Sequence, residues 1–137
     1  MGHIGYYRNF FKDYAHITVP MEKLLKKESK FQWNEDFHKG LDMLKQKLVT
    51  APILVFPNWK KEFHVHVDAY SIALSELLSQ PREGELDQAI SFANRKLLIV
   101  VLKNDMKMER EGLEMVYSLQ KFIHYLLGSH LKMYTNH

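Results

Sequence analysis

Asp68 closes a run, Phe63-His64-Val65-His66-Val67-Asp68, in which apolar and polar residues alternate. A period of two is the pattern of a half-buried strand, with Phe63, Val65 and Val67 on one face and His64, His66 and Asp68 on the other. Two chemistries are open to such a polar face. A carboxylate at a strand end, met by another from a helix, can hold Mg²⁺. Paired Mg²⁺ ions can activate a water and stabilise both oxygens of an in-line phosphodiester displacement. Alternatively, His64 and His66, two residues apart, can chelate a transition metal with Asp68 beside them. No further ligand at suitable spacing is evident, so the histidine pair reads as two half-exposed strand residues. The chain has no cysteine, which excludes a disulfide framework, Cys-ligated zinc, iron–sulfur sites and thiol catalysis. Any metal must be held by oxygen or imidazole.

The elements that would position these groups can be read from hydrophobic period and punctuation. Tyr7, Phe11 and Tyr14, flanked by Tyr6 and Phe10, predict a short amphipathic helix over residues 5–14 with an aromatic, core-facing stripe. A second helical piece is expected after Pro20, from Met21 to Lys27. A third begins at Asn34, a good N-cap, with Glu35 and Asp36 in its first turn. Phe37, Leu41, Leu44 and Leu48 recur at helical spacing along it, and Pro52 closes the segment. Pro52 and Pro57 bracket an extended Ile53-Leu54-Val55-Phe56, the expected domain boundary. Beyond it the alternating strand is followed by strand-like runs at Ile72 to Leu78 and Ala89 to Asn94, separated by a charged, Gly-containing turn from Pro81 to Asp87. These predict a three-stranded antiparallel meander. A long helix is expected from about Met108 to Leu127, with Leu113, Val116, Leu119, Ile123 and Leu126 as its apolar stripe and Gly128 as its C′ residue. Leu131 to His137 reads as a last strand.

Length and charge bound the rest. The 137 residues are 46% hydrophobic and 26% charged with a net charge of +3, the profile of one soluble unit. The longest apolar run, Leu97-Leu98-Ile99-Val100-Val101-Leu102, is far short of the ~20 residues that a membrane helix needs, and the first residues are not a signal peptide. An intracellular setting is expected. Residues 1–62 carry 11 Lys/Arg against 7 Asp/Glu, and residues 63–137 carry 8 against 9, so positive charge is concentrated in the first half, where it favours a polyanion.

The wording of the sequence carries more than its pattern. Gly5-Tyr6-Tyr7-Arg8-Asn9-Phe10, Phe31-Gln32-Trp33, Leu48-Val49-Thr50-Ala51-Pro52-Ile53-Leu54, Val67-Asp68-Ala69, Leu77-Leu78-Ser79-Gln80, Arg95-Lys96-Leu97 and His124-Tyr125-Leu126-Leu127-Gly128 resemble, in order and at family spacing, the pol polyproteins of gypsy-type LTR retrotransposons. The resemblance covers essentially the whole chain. It implies an α+β architecture: residues 1–60 as the end of a reverse-transcriptase thumb and connection, and residues 61–137 as a ribonuclease H-like domain incomplete at its C-terminus. That domain would comprise the meander, the long helix and a fourth strand. The implied activity is Mg²⁺-dependent hydrolysis of the RNA strand of RNA·DNA hybrids, alongside RNA-directed DNA synthesis.

In that family four acids surround two Mg²⁺ ions. The first lies in a motif like D-A-S-x-x-G-x-G-A-V-L-S-Q, which maps onto Asp68 to Gln80 and makes Asp68 the acid that bridges both metals. The second is a helix glutamate thirteen positions before the histidine of the H-Y-L-x-G block, and counting back from His124 gives Glu111; Glu109 and Glu114 compete with it. His124 itself reads as packing or helix-end electrostatics. The third acid falls in a motif like R-T-D-H, matched by Tyr134-Thr135-Asn136-His137. Here Asn136 replaces it, an amide of similar size that offers a carbonyl oxygen but no charge. The fourth would lie beyond residue 137. Small family positions are also filled, by Tyr70, Ala73, Ser75 and Glu76, where glycine would permit closer approach. The resemblance therefore implies catalytic and metal residues Asp68 and Glu111, with Asn136 at a degenerate metal position. It also implies a hydrolytic activity that is lost or very weak. A non-catalytic nucleic-acid-binding module, or an inactive relic, is the alternative. The expected partner is an RNA·DNA hybrid or other nucleic acid, with no membrane. An uncovered sheet edge would allow self-association.

Overall fold

The alternating segments pair into one four-stranded sheet in the computed structural model, which describes residues 7–10, 12–24, 33–69, 73–96 and 107–135. In chain order the elements are a 3-10 turn at Tyr7–Asn9, α1 (Tyr14–Leu24), α2 (Glu35–Val49), β1 (Phe63–Ala69), β2 (Ala73–Gln80), β3 (Gln88–Lys96), α3 (Lys107–Lys121), α4 (Ile123–Leu126) and β4 (Leu131–Thr135). The sheet order is β3-β2-β1-β4, with the meander antiparallel and β4 parallel to β1. The α+β architecture expected from sequence is the one observed. The apolar run Leu97 to Leu102 and the region of Tyr70 lie outside the described residues.

Strand alternation gives the sheet two chemically different faces. Val65 and Val67 of β1, with Leu74 and Leu78 of β2, join Phe63, Ile90, Ala93, Phe122 and Leu126 in the main core. Each large apolar side chain so buried contributes about 1.5–3 kcal/mol. On the other face, His64, His66 and Asp68 stand beside Ser79, Leu77 and Ser75 of β2 in register. Helix α1 covers part of this second face over β2 and β3. It is tied there by the Asp13 amide, which donates to Ser75 Oγ at 3.1 Å, and by a Glu22–Lys96 ion pair.

The N-terminal helices differ from expectation in an instructive way. Residues 7–9 make only a 3-10 turn, because Asp13 adopts a left-handed conformation (φ 68°) that interrupts any helix running through it. Helix α1 then starts at Tyr14 and continues through Pro20 instead of starting after it. Proline removes one helical hydrogen bond, but Ile17 and Met21 on one face pack against Phe37 and Leu44 of α2, which holds the helix together across the gap. Gly40 permits the contact, since a Cβ there would lie 2.9 Å from Met21 Sδ. Helix α2 follows its sequence signals closely: Asn34 Oδ1 accepts the Phe37 amide at 2.9 Å, and Phe37 and Leu44 are buried.

The expected stripe of the long helix is corrected in part: Leu126 is buried in the main core and Leu119 packs against it, as expected. Leu113, Val116 and Ile123 are 42%, 51% and 40% exposed, whereas Glu114, Ser118 and Phe122 are buried. The helix is turned so that a polar pair faces the sheet, because Glu76 of β2 supplies a hydrogen-bonding partner for Ser118 there. The long helix also breaks at Phe122 before the single turn of α4, and Gly128 (φ 75°) ends it in the left-handed conformation expected of a C′ residue. The extended connector is bound to the sheet. The Val55 amide donates to Ala89 O at 3.0 Å, and the Gln80 side chain both accepts from the Asn58 amide and donates to the Asn58 carbonyl, each at 2.8 Å.

Candidate functional site

The polar face of β1 carries two neighbouring groups of side chains. At its C-terminal end, Asp68 lies beside Ser75, and Lys12 reaches in from the segment before α1 to place Nζ 2.5 Å from Asp68 Oδ2. Lys12, His66, Asp68, Ser75, Leu77, Tyr134 and Thr135 line an open cavity of about 250 Å³. Lys12 was not legible as part of this site, since 56 positions separate it from Asp68 and only the fold of α1 onto the sheet brings it in.

Nearer the start of β1, His64 and His66 converge on Asp87 from the loop before β3. His64 Nδ1 is 2.5 Å and His66 Nε2 is 3.3 Å from the same Asp87 Oδ2, which also accepts the Ser79 hydroxyl at 3.1 Å. The other nitrogen of His64 faces Glu62 Oε1 at 3.3 Å, and Lys132 of β4 donates to that oxygen at 2.9 Å. Tyr134 stacks on His66 with ring centroids 4.8 Å apart. The sequence suggested Asp68 as the third member of the histidine group; the structure puts Asp87 there. Register supplies the reason. Ser79 of β2 pairs with His64 on one side and Ala89 on the other, so the residues leading into β3 come to the histidine face.

Electrostatics follows these contacts. Burial pushes the Asp87 carboxyl up, but its hydrogen bonds with His64 and His66 outweigh burial and hold it below its ordinary range. Lys132 and then His64 lower Glu62, and Glu62 in turn raises Lys132. On the opposite face of the sheet, burial pushes Glu76 above the ordinary carboxylate range, against the hydrogen bond from Ser118.

The acids implied by resemblance are differently placed. Glu111 is half-buried in α3, which packs on the Val67 and Glu76 face, whereas Asp68 alternates to the other face. Among the described residues, no hydrogen bond or ion pair connects Asp68 to Glu111. Asn136 lies outside the described residues. Two Mg²⁺ ions need several converging, negatively charged oxygens. The residues here do not fit that requirement: Asp68 is already neutralised by an ammonium group, and no second described acid faces the same cavity. Glu114, the competing glutamate, is buried beneath α3 beside Ser118.

Comparison with known proteins agrees with the fold. Residues 33–133 match the RNase H-like domain found in reverse transcriptase. The whole chain is 35% identical, over 138 residues, to the retrovirus-related Pol polyprotein from transposon 297 of Drosophila melanogaster, and covers 12% of it. It is 32% identical to the corresponding polyprotein from transposon opus of the same organism, covering 15%. It is 26% identical to the transposon Tf2-3 polyprotein of Schizosaccharomyces pombe, covering 10%. The chain thus spans a small part of each relative. Among solved structures, the foamy viral protease-reverse transcriptase in complex with dsDNA superposes with a TM-score of 0.79 at 20% identity, over 98% of this chain and 28% of that one. The same enzyme in complex with RNA/DNA hybrid gives 0.75 at 20% identity, with 98% and 18% covered. At that identity the likeness is one of fold.

Proposed function

The chain belongs to the RNase H-like domains found in reverse transcriptase, and from that premise we propose that it is a nucleic-acid-contacting module of a Pol-type protein that does not itself hydrolyse RNA. The observation that carries this reading is the Lys12–Asp68 ion pair. The carboxylate that would bridge two metals in the family is occupied by a positive charge of the chain's own. Asp68 and Glu111 are, in this reading, surviving members of the family's acidic set, with Asn136 at the third position, and the Mg²⁺-dependent cleavage of RNA·DNA hybrids is lost or very weak. Removing one well-placed electrostatic group typically costs ~10²–10³ in rate, and here Asn136 stands at one acid position while Lys12 engages the acid at another.

Residues 1–60 are assigned to the thumb and connection and residues 61–137 to the ribonuclease H-like unit. The excess of Lys and Arg in residues 1–62 supports contact with a phosphate backbone. So does the likeness to a reverse transcriptase solved with dsDNA and with RNA/DNA hybrid. No described helix is long and apolar enough to cross a membrane, and an intracellular site of action accords with this role. Strand β4 pairs only with β1 among the described elements, so its outer edge is the surface through which self-association would occur.

Fluorescence anisotropy with a labelled RNA·DNA hybrid tests the reading. The expected result is sequence-independent binding whose logarithm falls linearly with the logarithm of salt concentration, and no cleavage in Mg²⁺ or Mn²⁺. Hybrid cleavage that Asp68→Asn abolishes would establish the enzyme instead. Absence of binding at low salt would remove the module.

A further inference from the structure

We propose that His64, His66 and Asp87 form a binding site for one divalent transition-metal ion of the zinc class, separate from the magnesium position of the family and independent of the nucleic-acid reading above. One ligand atom from each of the three residues lies within 4.8 Å of the others. Zinc bonds to imidazole nitrogen and carboxylate oxygen at about 2.0–2.2 Å, which puts tetrahedral ligand atoms about 3.3–3.5 Å apart. His66 Nε2 and Asp87 Oδ2 are already 3.3 Å apart. The 2.5 Å contact between His64 Nδ1 and Asp87 Oδ2 must open by nearly an ångström, and Asp87 stands on the loop preceding β3, where such a movement disturbs no strand pairing. The ion takes the place of the hydrogen bonded between these two atoms, and a water completes the fourth position.

The surroundings match what a metal-bound histidine requires. With the ion on Nδ1, the remaining Nε2–H of His64 points to Glu62 Oε1 at 3.3 Å, and Glu62 is itself held by Lys132 at 2.9 Å. A carboxylate on the far ring nitrogen fixes the tautomer and orientation of a ligating histidine. Ser79 donates to Asp87, and the Tyr134 ring covers the face of His66, so with Glu62 on His64 each of the three ligands is held by a neighbour before any ion arrives. Two imidazoles and one carboxylate suit zinc, cobalt or nickel, and disfavour magnesium, which takes oxygen ligands. Asp68 shares the strand face but is engaged by Lys12, so it is not part of the set.

Isothermal calorimetry of the full chain with zinc chloride, without nucleic acid, provides the test, and cobalt absorption in the visible reports tetrahedral geometry. Saturable binding of one ion is expected. It should be lost in His66→Ala and in Asp87→Asn, weakened about 10–100-fold in Glu62→Gln and unchanged in Asp68→Asn. His66 and Asp87 are only half-buried, and unfolding curves recorded without metal verify that each variant is folded. Wild-type protein that takes up no zinc, or that binds it equally well after His66→Ala and Asp87→Asn, overturns the proposal. Loss of binding in Asp68→Asn would move the ion to the family's position and overturn it equally.

Discussion

Glu76 offers the sharpest test of how this sheet is held to its helix. It is 3% exposed, stands opposite Val67 and receives Ser118 Oγ at 3.1 Å, while the same hydroxyl lies 2.9 Å from the Glu114 carbonyl. A hydroxyl has one proton and cannot donate to both acceptors at once. Ser118 therefore supports an ionised Glu76 only in competition with the Glu114 carbonyl. Burial accordingly raises the carboxyl above its ordinary range. As pH rises, the unfolded chain ionises at this position first, so stability is lost through the interval between the unfolded and folded pKa and stays reduced above it. Glu76→Gln supplies a neutral side chain of the same shape whose amide donates permanently. The cost of burying an incompletely satisfied polar group is about 1–3 kcal/mol, and the variant should recover that much at about pH 8, where a chain of this size gains about 3–5 °C per kcal/mol. The gain should shrink toward zero near pH 4, where free glutamate is itself mostly protonated. Thermal or urea unfolding of both proteins across this range measures it. An equal loss of stability at both ends of the range would refute the reasoning, because it would mean that shape or an undetected partner, and not buried charge, governs the position.

Two further perturbations address the packing beneath the site. Phe122→Ala empties a 2% exposed position in the main core and should cost about 3–5 kcal/mol in urea unfolding; a cost below 1 kcal/mol would mean that the break between α3 and α4 is free to collapse. Asn34→Ala removes the side-chain acceptor of the Phe37 amide and should cost about 1 kcal/mol, measured by the same method and independent of pH in the neutral range.

How far the sequence anticipates the molecule depends on whether a signal is local. Helix α2 was legible because Asn34, Glu35 and Asp36 cap it and Phe37 and Leu44 repeat along it, all within one element. The alternation of β1 likewise assigned Val65 and Val67 to the core and His64, His66 and Asp68 to the other face. The phase of α3 was not legible, since the apolar residues Leu113, Val116 and Ile123 would be read as its buried side. Glu114 and Ser118 are buried instead, and Ser118 finds its partner in Glu76, on a different element. The site residues divide in the same way. Asp68 and the histidines announce themselves on one strand, whereas Lys12 and Asp87 arrive through tertiary register, and no local pattern marks them.

The pairing of Gln80 with Asn58 has a mechanical consequence. By accepting from the Asn58 amide and donating to its carbonyl, the Gln80 amide group reproduces with a side chain the exchange that a neighbouring strand would make with its backbone. Together with the Val55–Ala89 bond, it fastens the connector to the end of β2 and the start of β3. Tension or torque transmitted along the chain from α2 is therefore delivered to the hairpin side of the sheet before it reaches β1. The strand that bears His64, His66 and Asp68 is shielded from loads carried along the connector, and the preceding helical segment acts on its polar face sideways, through Lys12 on Asp68 and Asp13 on Ser75.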